Sequence, residues 1–99
     1  MNMNLNYEGF EQNLVRHNEP DWFSKKTQYV FKFDNGYGAS VIKGEYTYGH
    51  EDDQWELAVI IFDEYDNYEL CYTTEITNDV IGWLSDEEVR NTLQKIKNL

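Results

Sequence analysis

Ninety-nine residues make a single compact domain, 1–99, with room for one modest core. Apolar residues are 40% of the chain and aromatics 16%, too much for a disordered acidic tail, and the net charge of −11 opposes non-specific binding to nucleic acid or to an anionic membrane. Cys71 is the single cysteine, so no intrachain disulfide framework exists and a reducing compartment is the natural reading.

The N-terminal MNMNLNYEG has neither the basic patch nor the apolar segment of a signal peptide. No run approaches the roughly 18 apolar residues needed to span a bilayer, so the expected location is the cytoplasm. Tyr7, Phe10 and Leu14 are spaced to share one face of a short helix over 6–16, capped by Asn6. Gly9 weakens that helix, and a strand is the alternative. Residues 17–27 read as a loop, because Pro20 forces Glu19 toward an extended backbone. Trp22 and Phe23 either anchor this loop to the body or, with Trp83, form an exposed aromatic contact surface.

Residues 28–34 and 37–43 read as a β-hairpin joined at Asn35-Gly36, a favoured two-residue turn. That turn places Phe33 opposite Gly38 and Phe31 opposite Ser40. A polar connection, 44–54, leads to the longest apolar run, WELAVIIF at 55–62. Trp55, Leu57, Val59 and Ile61 should point one way and Ala58, Ile60 and Phe62 the other, so both faces need cover. Asp63 to Asn67 reads as a turn and 68–73 as a fourth strand, with Leu70 and Tyr72 on one face and Cys71 on the other. Residues 74–84 are too apolar for a free loop but carry no clear period. Ser85 and Glu88 form a capping box, and a helix should follow from Asp86 to about Asn98. Its stripe of Val89, Leu93, Ile96 and Leu99 is the natural cover for one sheet face.

The expected fold is therefore α+β: an antiparallel four-stranded meander with the C-terminal helix on one face and a short N-terminal helix beside it. The second face calls for cover from Trp22, Phe23 and Trp83, or from a second subunit stacked as a homodimer.

Charge is the most unusual feature. From Glu45 to Glu88 there are fourteen acids and no Lys or Arg. Glu51, Asp52 and Asp53 form one cluster, and Asp63, Glu64, Asp66 and Glu69 a second. Clustered carboxylates allow a weak surface cation site, although the second cluster lacks the spacing of a helix–loop–helix calcium loop. A thiol enzyme would need Cys71 beside His17 or His50, and no motif demands that. GYGAS at 36–40 has no helix start to receive phosphate, so no cofactor is expected. A Tyr-rich sheet suits nucleic acid only where cations surround the rings, which argues against direct nucleic-acid contact. Protein binding remains: a dense acidic surface fits a basic groove, as a mimic of nucleic-acid phosphates.

Three segments carry a resemblance: NGYGASVI (35–42), YTYG (46–49) before WELAVI (55–60), and ITNDVIGWLSDEEV (76–89). With them the chain resembles small acidic uncharacterised proteins encoded by phages and prophages of Gram-positive bacteria. The resemblance covers roughly the last two-thirds of the chain. It implies a mobile-element origin and favours an accessory protein that binds a host protein, with no functional residues to carry over. A self-associating phage accessory or structural protein without mimicry is the alternative.

Overall fold

The computed structural model describes residues 4–19, 26–44, 54–74, 76 and 80–99. Among them six strands form one antiparallel sheet: β1 (Leu14–Asn18), β2 (Lys26–Lys32), β3 (Tyr37–Gly44), β4 (Trp55–Phe62), β5 (Tyr68–Leu70) and β6 (Ile81–Leu84). One helix, α1 (Asp86–Lys97), ends the chain. The first five strands form a meander, each hydrogen-bonded to the next in sequence. β6 pairs with β4 on the half of its outer edge that β5 leaves open: Ile60 faces Leu70, whereas Leu57 faces Ile81 and Trp55 faces Leu84. The α+β class, the antiparallel sheet and the C-terminal helix are as expected.

The strand count is six where four were expected, because two segments were read without their partners. Residues 6–16 form no α-helix. A 3-10 turn at Glu11–Asn13 is followed directly by β1. Gly9 adopts φ 96°, and the Glu11 carboxylate accepts its N–H at 2.7 Å, which fixes a turn where a helix would have begun. Leu14 then aligns with Phe31, and His17 with Tyr29, across the β1–β2 ladder. Phe10 still reaches the core and Tyr7 and Leu14 pack against it, so the spacing identified the buried residues and misread the backbone. The second missed strand is β6, drawn from the apolar end of 74–84.

The β2–β3 hairpin is real but slipped by one residue from the expected register. Phe31 faces Ala39 and Lys32 faces Gly38. Phe33 N–H donates to Tyr37 O at 2.9 Å, so the loop has three residues, Asp34-Asn35-Gly36, with Gly36 in the left-handed region at φ 87°.

Alternation then sorts the side chains. Tyr29, Phe31, Ala39, Val41, Leu57 and Val59 share the face that packs against Val89, Leu93 and Ile96 of α1. Ser85 and Glu88 form both arms of the capping box, each at 3.2 Å. Asp86 also accepts the Trp55 indole N–H at 2.7 Å and the Asn6 N–H at 3.3 Å, and Arg90 donates to Asn6 O at 2.9 Å. The helix start thus fastens both β4 and the N-terminal segment. Burial raises the Tyr29 phenol pKa above its usual range, and the Leu5 N–H donated to its oxygen opposes that rise. Lys43 is buried with its ammonium 4.2 Å from the Trp55 ring centroid, a desolvated cation–π contact worth up to about 2 kcal/mol.

Candidate protein-binding surface

The second acidic cluster lies on the β4–β5 hairpin. Asp63 N–H donates to Asn67 O at 2.8 Å and Asp66 N–H to Asp63 O at 3.2 Å, closing a loop of Glu64, Tyr65 and Asp66. Asp63 Oδ1 accepts the N–H of Tyr65 at 2.8 Å and of Asn67 at 3.0 Å, which stiffens the tip. Asp63, Glu64, Asp66 and Glu69 are all exposed. Their roles differ. Asp66 pairs with the Lys32 ammonium and takes φ 63°, Asp63 spends one oxygen on the turn, and Glu64 and Glu69 present their carboxylates to solvent. Glu51, Asp52 and Asp53, the first cluster, lie outside the described residues, as do Trp22, Phe23 and His50.

Aromatic and aliphatic side chains share this hairpin. Seven large hydrophobics are exposed among the described residues, and five of them, Ile61, Tyr65, Tyr68, Leu70 and Tyr72, fall between 61 and 72. Tyr65 is 77% exposed and Leu70 52%. On the face away from α1, the Phe62 ring lies over Gly38, with Tyr68 5.4 Å beyond and the Lys32 ammonium 5.3 Å from the Phe62 centroid. A groove of about 390 Å³ runs beside this stack, floored by Val30 and walled by Val15, Arg16 and Tyr68. A second concavity, about 420 Å³, lies at the hairpin itself between Ile61, Asp63, Asn67 and Glu69. The acidic cluster was visible in the sequence. The aromatic part of the surface was missed, because alternation assigns Leu70 and Tyr72 to a face without saying whether anything covers it.

Trp83 does not cover the second face. It is 55% exposed, with φ 58° at the point where β6 slips by one residue against β4. A bulky residue held there costs on the order of 1–3 kcal/mol. Cys71 is buried, its sulfur 3.5 Å from the Thr73 hydroxyl. His17 is on β1 at the opposite end of the meander, stacked on Tyr29 at 4.1 Å and paired with Glu19 at 3.0 Å. Cys71 and His17 are therefore not brought together, and Cys71 packs as a small hydrophobe. No three His, Cys, Asp or Glu side chains among the described residues converge as a metal-binding group.

No protein-family model, curated protein or solved structure matches the chain at a significant level.

Proposed function

We propose that the chain is a non-enzymatic protein-binding accessory protein whose acidic middle engages a basic surface on its partner. The partner that fits best is a nucleic-acid-processing protein of the host cell, whose phosphate groove the carboxylates would occupy. One observation carries the reading: the stretch from Glu45 to Glu88 holds fourteen acids and no Lys or Arg. Four of those acids stand exposed on a single stiffened hairpin, which supports it. Steering by such a surface speeds encounter and makes it sensitive to salt. The segments that resemble phage and prophage proteins point to a Gram-positive host as the place to look.

The test is capture from a Gram-positive lysate at low and high salt, with the captured proteins identified by mass spectrometry. The expected result is one basic nucleic-acid-binding protein, lost as salt rises. Reversing charge at Glu51, Asp52 and Asp53 should abolish capture and leave the melting temperature nearly unchanged. Capture that survives both treatments would remove the acidic surface from the reading.

A second reading is a self-associating accessory protein, favoured by the exposure of Val15 and Leu70 on the sheet face away from α1. It predicts dimerisation that strengthens with salt, because screening removes the repulsion between two chains of charge −11. Sedimentation across a salt series separates the two.

A further inference from the structure

We infer that the free edge of β5 is a docking site for an extended segment of the partner protein, in which apolar residues alternate with Lys or Arg. The inference rests on the protein-binding reading and adds how the partner is held.

The backbone supplies the first half of the argument. Cys71 N–H donates to Val59 O at 2.8 Å and Asp63 N–H to Asn67 O at 2.8 Å. The odd-numbered peptide groups of this hairpin are therefore spent between β4 and β5. By alternation, the N–H and C=O groups of Tyr68 and Leu70 point to the other side, where no described strand pairs with them. Sheets usually blunt such an edge with Lys, Pro or a bulge. Tyr68–Leu70 has no Lys, Pro or bulge; what guards it is its length of three residues and the Glu69 carboxylate, a charge that repels an acidic strand and attracts a basic one. By contrast, the outer strand at the other end of the meander, β1, carries a register shift between Leu14 and Arg16.

Side chains supply the second half. Leu70 aligns with Ile60 and Tyr68 with Phe62, so both lie on the face away from α1, where an added strand would set its apolar residues. Glu69 aligns with Ile61 on the opposite face, close to Asp63. An added strand would set its alternate residues there, and the local charge calls for Lys or Arg. Among the described residues the one cation paired with a hairpin carboxylate is Lys32, and it is taken by Asp66. A second copy of this chain is a poor occupant, because edge-to-edge pairing would bring Glu69 against an equally acidic edge. Main-chain bonds would give affinity and the two-residue alternation specificity.

The test uses the intact protein and a displayed library of random peptides. Enriched sequences should alternate apolar residues with Lys or Arg. A synthetic peptide of that kind should shift amide resonances at 59–62 and 68–72. N-methylation at its alternate positions that face β5 should weaken binding about tenfold, the loss expected for one hydrogen bond to an edge. The same change at the intervening positions should not. Leu70→Ser, with an unchanged melting temperature, should weaken binding and leave the salt dependence in place. Enrichment of clustered basic peptides that ignore N-methylation and shift resonances around the carboxylates would overturn strand addition while leaving the acidic-surface reading intact. Enrichment of peptides without basic residues, resonance shifts away from β5, or no enrichment at all would also overturn the inference. In those cases the lysate experiment alone would decide the broader reading.

Discussion

The β2–β3 and β4–β5 hairpins share one loop geometry and put it to different ends. In the first, Phe33 bonds to Tyr37 at 2.9 Å and Gly36 N–H returns to Phe33 O at 3.1 Å. In the second, Asp63 bonds to Asn67 at 2.8 Å and Asp66 N–H returns to Asp63 O at 3.2 Å. Each has a left-handed third residue, Gly36 at φ 87° and Asp66 at φ 63°. The difference is in the middle residue. Asn35 Nδ2 donates to Ile96 O at 2.9 Å and to Lys97 O and Leu99 O at 3.2 Å, so the first tip caps the end of α1. Tyr65, at the equivalent position, projects into solvent. The same backbone thus serves once as a brace and once as a display, and the side chain at one position decides which.

The largest effect should come where the two hairpins meet. A Cβ on Gly38 would stand 2.0 Å from the Phe31 carbonyl oxygen and 2.8 Å from Phe62 Cε2. The Phe31 carbonyl belongs to a central ladder and cannot yield, whereas the half-buried Phe62 ring, which roofs the open face, could escape only by turning outward. Gly38→Ala should cost about 3 kcal/mol by overpacking and be read as a lower denaturation midpoint at constant slope. A smaller loss, with Phe62 turned outward, would show that the roof is loosely held. Next in size is the brace. Asn35→Ala removes the donor to three helix-end carbonyls and the acceptor for Tyr37 N–H at 3.0 Å. Water can replace part of this at an exposed tip, so the expected cost is about 1.5 kcal/mol. Tyr65→Ala, at the same loop position, should change stability by less than about 0.5 kcal/mol. Equal losses at the two positions would break the distinction between brace and display.

Much of this architecture could be read from the chain because its signals are local. The capping box at Ser85 and Glu88 marks the start of the helix and the stripe of Val89, Leu93 and Ile96 its buried face, and the helix ends at Lys97, one residue short of the expected Asn98. The alternation of 55–62 correctly divided its two faces. The hairpin register was misread for a specific reason: Asn35-Gly36 suits a two-residue loop and equally the last two positions of a three-residue loop, and only the cross-strand bond of Phe33 separates them. β6 was missed because its ladder is to the remote β4, whereas β1, which pairs with the next strand, was hidden by the helix-like spacing of Tyr7, Phe10 and Leu14. On the candidate surface, the carboxylates of 63–69 were visible, since charge in a turn stays outside. The exposure of Tyr65, Tyr68 and Leu70 was not, because burial depends on what packs above a face, and sequence alternation carries no such information.

Two further substitutions test the shared left-handed position. No atom lies within 4 Å of a Cβ placed on Gly36, so Gly36→Ala carries only the conformational penalty, about 1 kcal/mol. Asp66→Gly is the reverse experiment, and three terms compete. It relieves a left-handed backbone that Asp tolerates better than most residues, a gain below about 1 kcal/mol. It removes the ion pair with Lys32, which at this exposure is worth about 0–1 kcal/mol. It also adds the unfolded-state entropy of glycine, a further loss of about 0.5–1 kcal/mol. The first term opposes the other two, whose sum is the larger, so Asp66→Gly should cost about 0.5–1 kcal/mol. A clear stabilisation would mean that the second hairpin keeps Asp66 at a cost, and that its carboxylate is retained for the surface rather than for the fold. A loss above 1 kcal/mol would instead make the Lys32–Asp66 pair a structural tie across Gly38, and the display hairpin would then be braced as well.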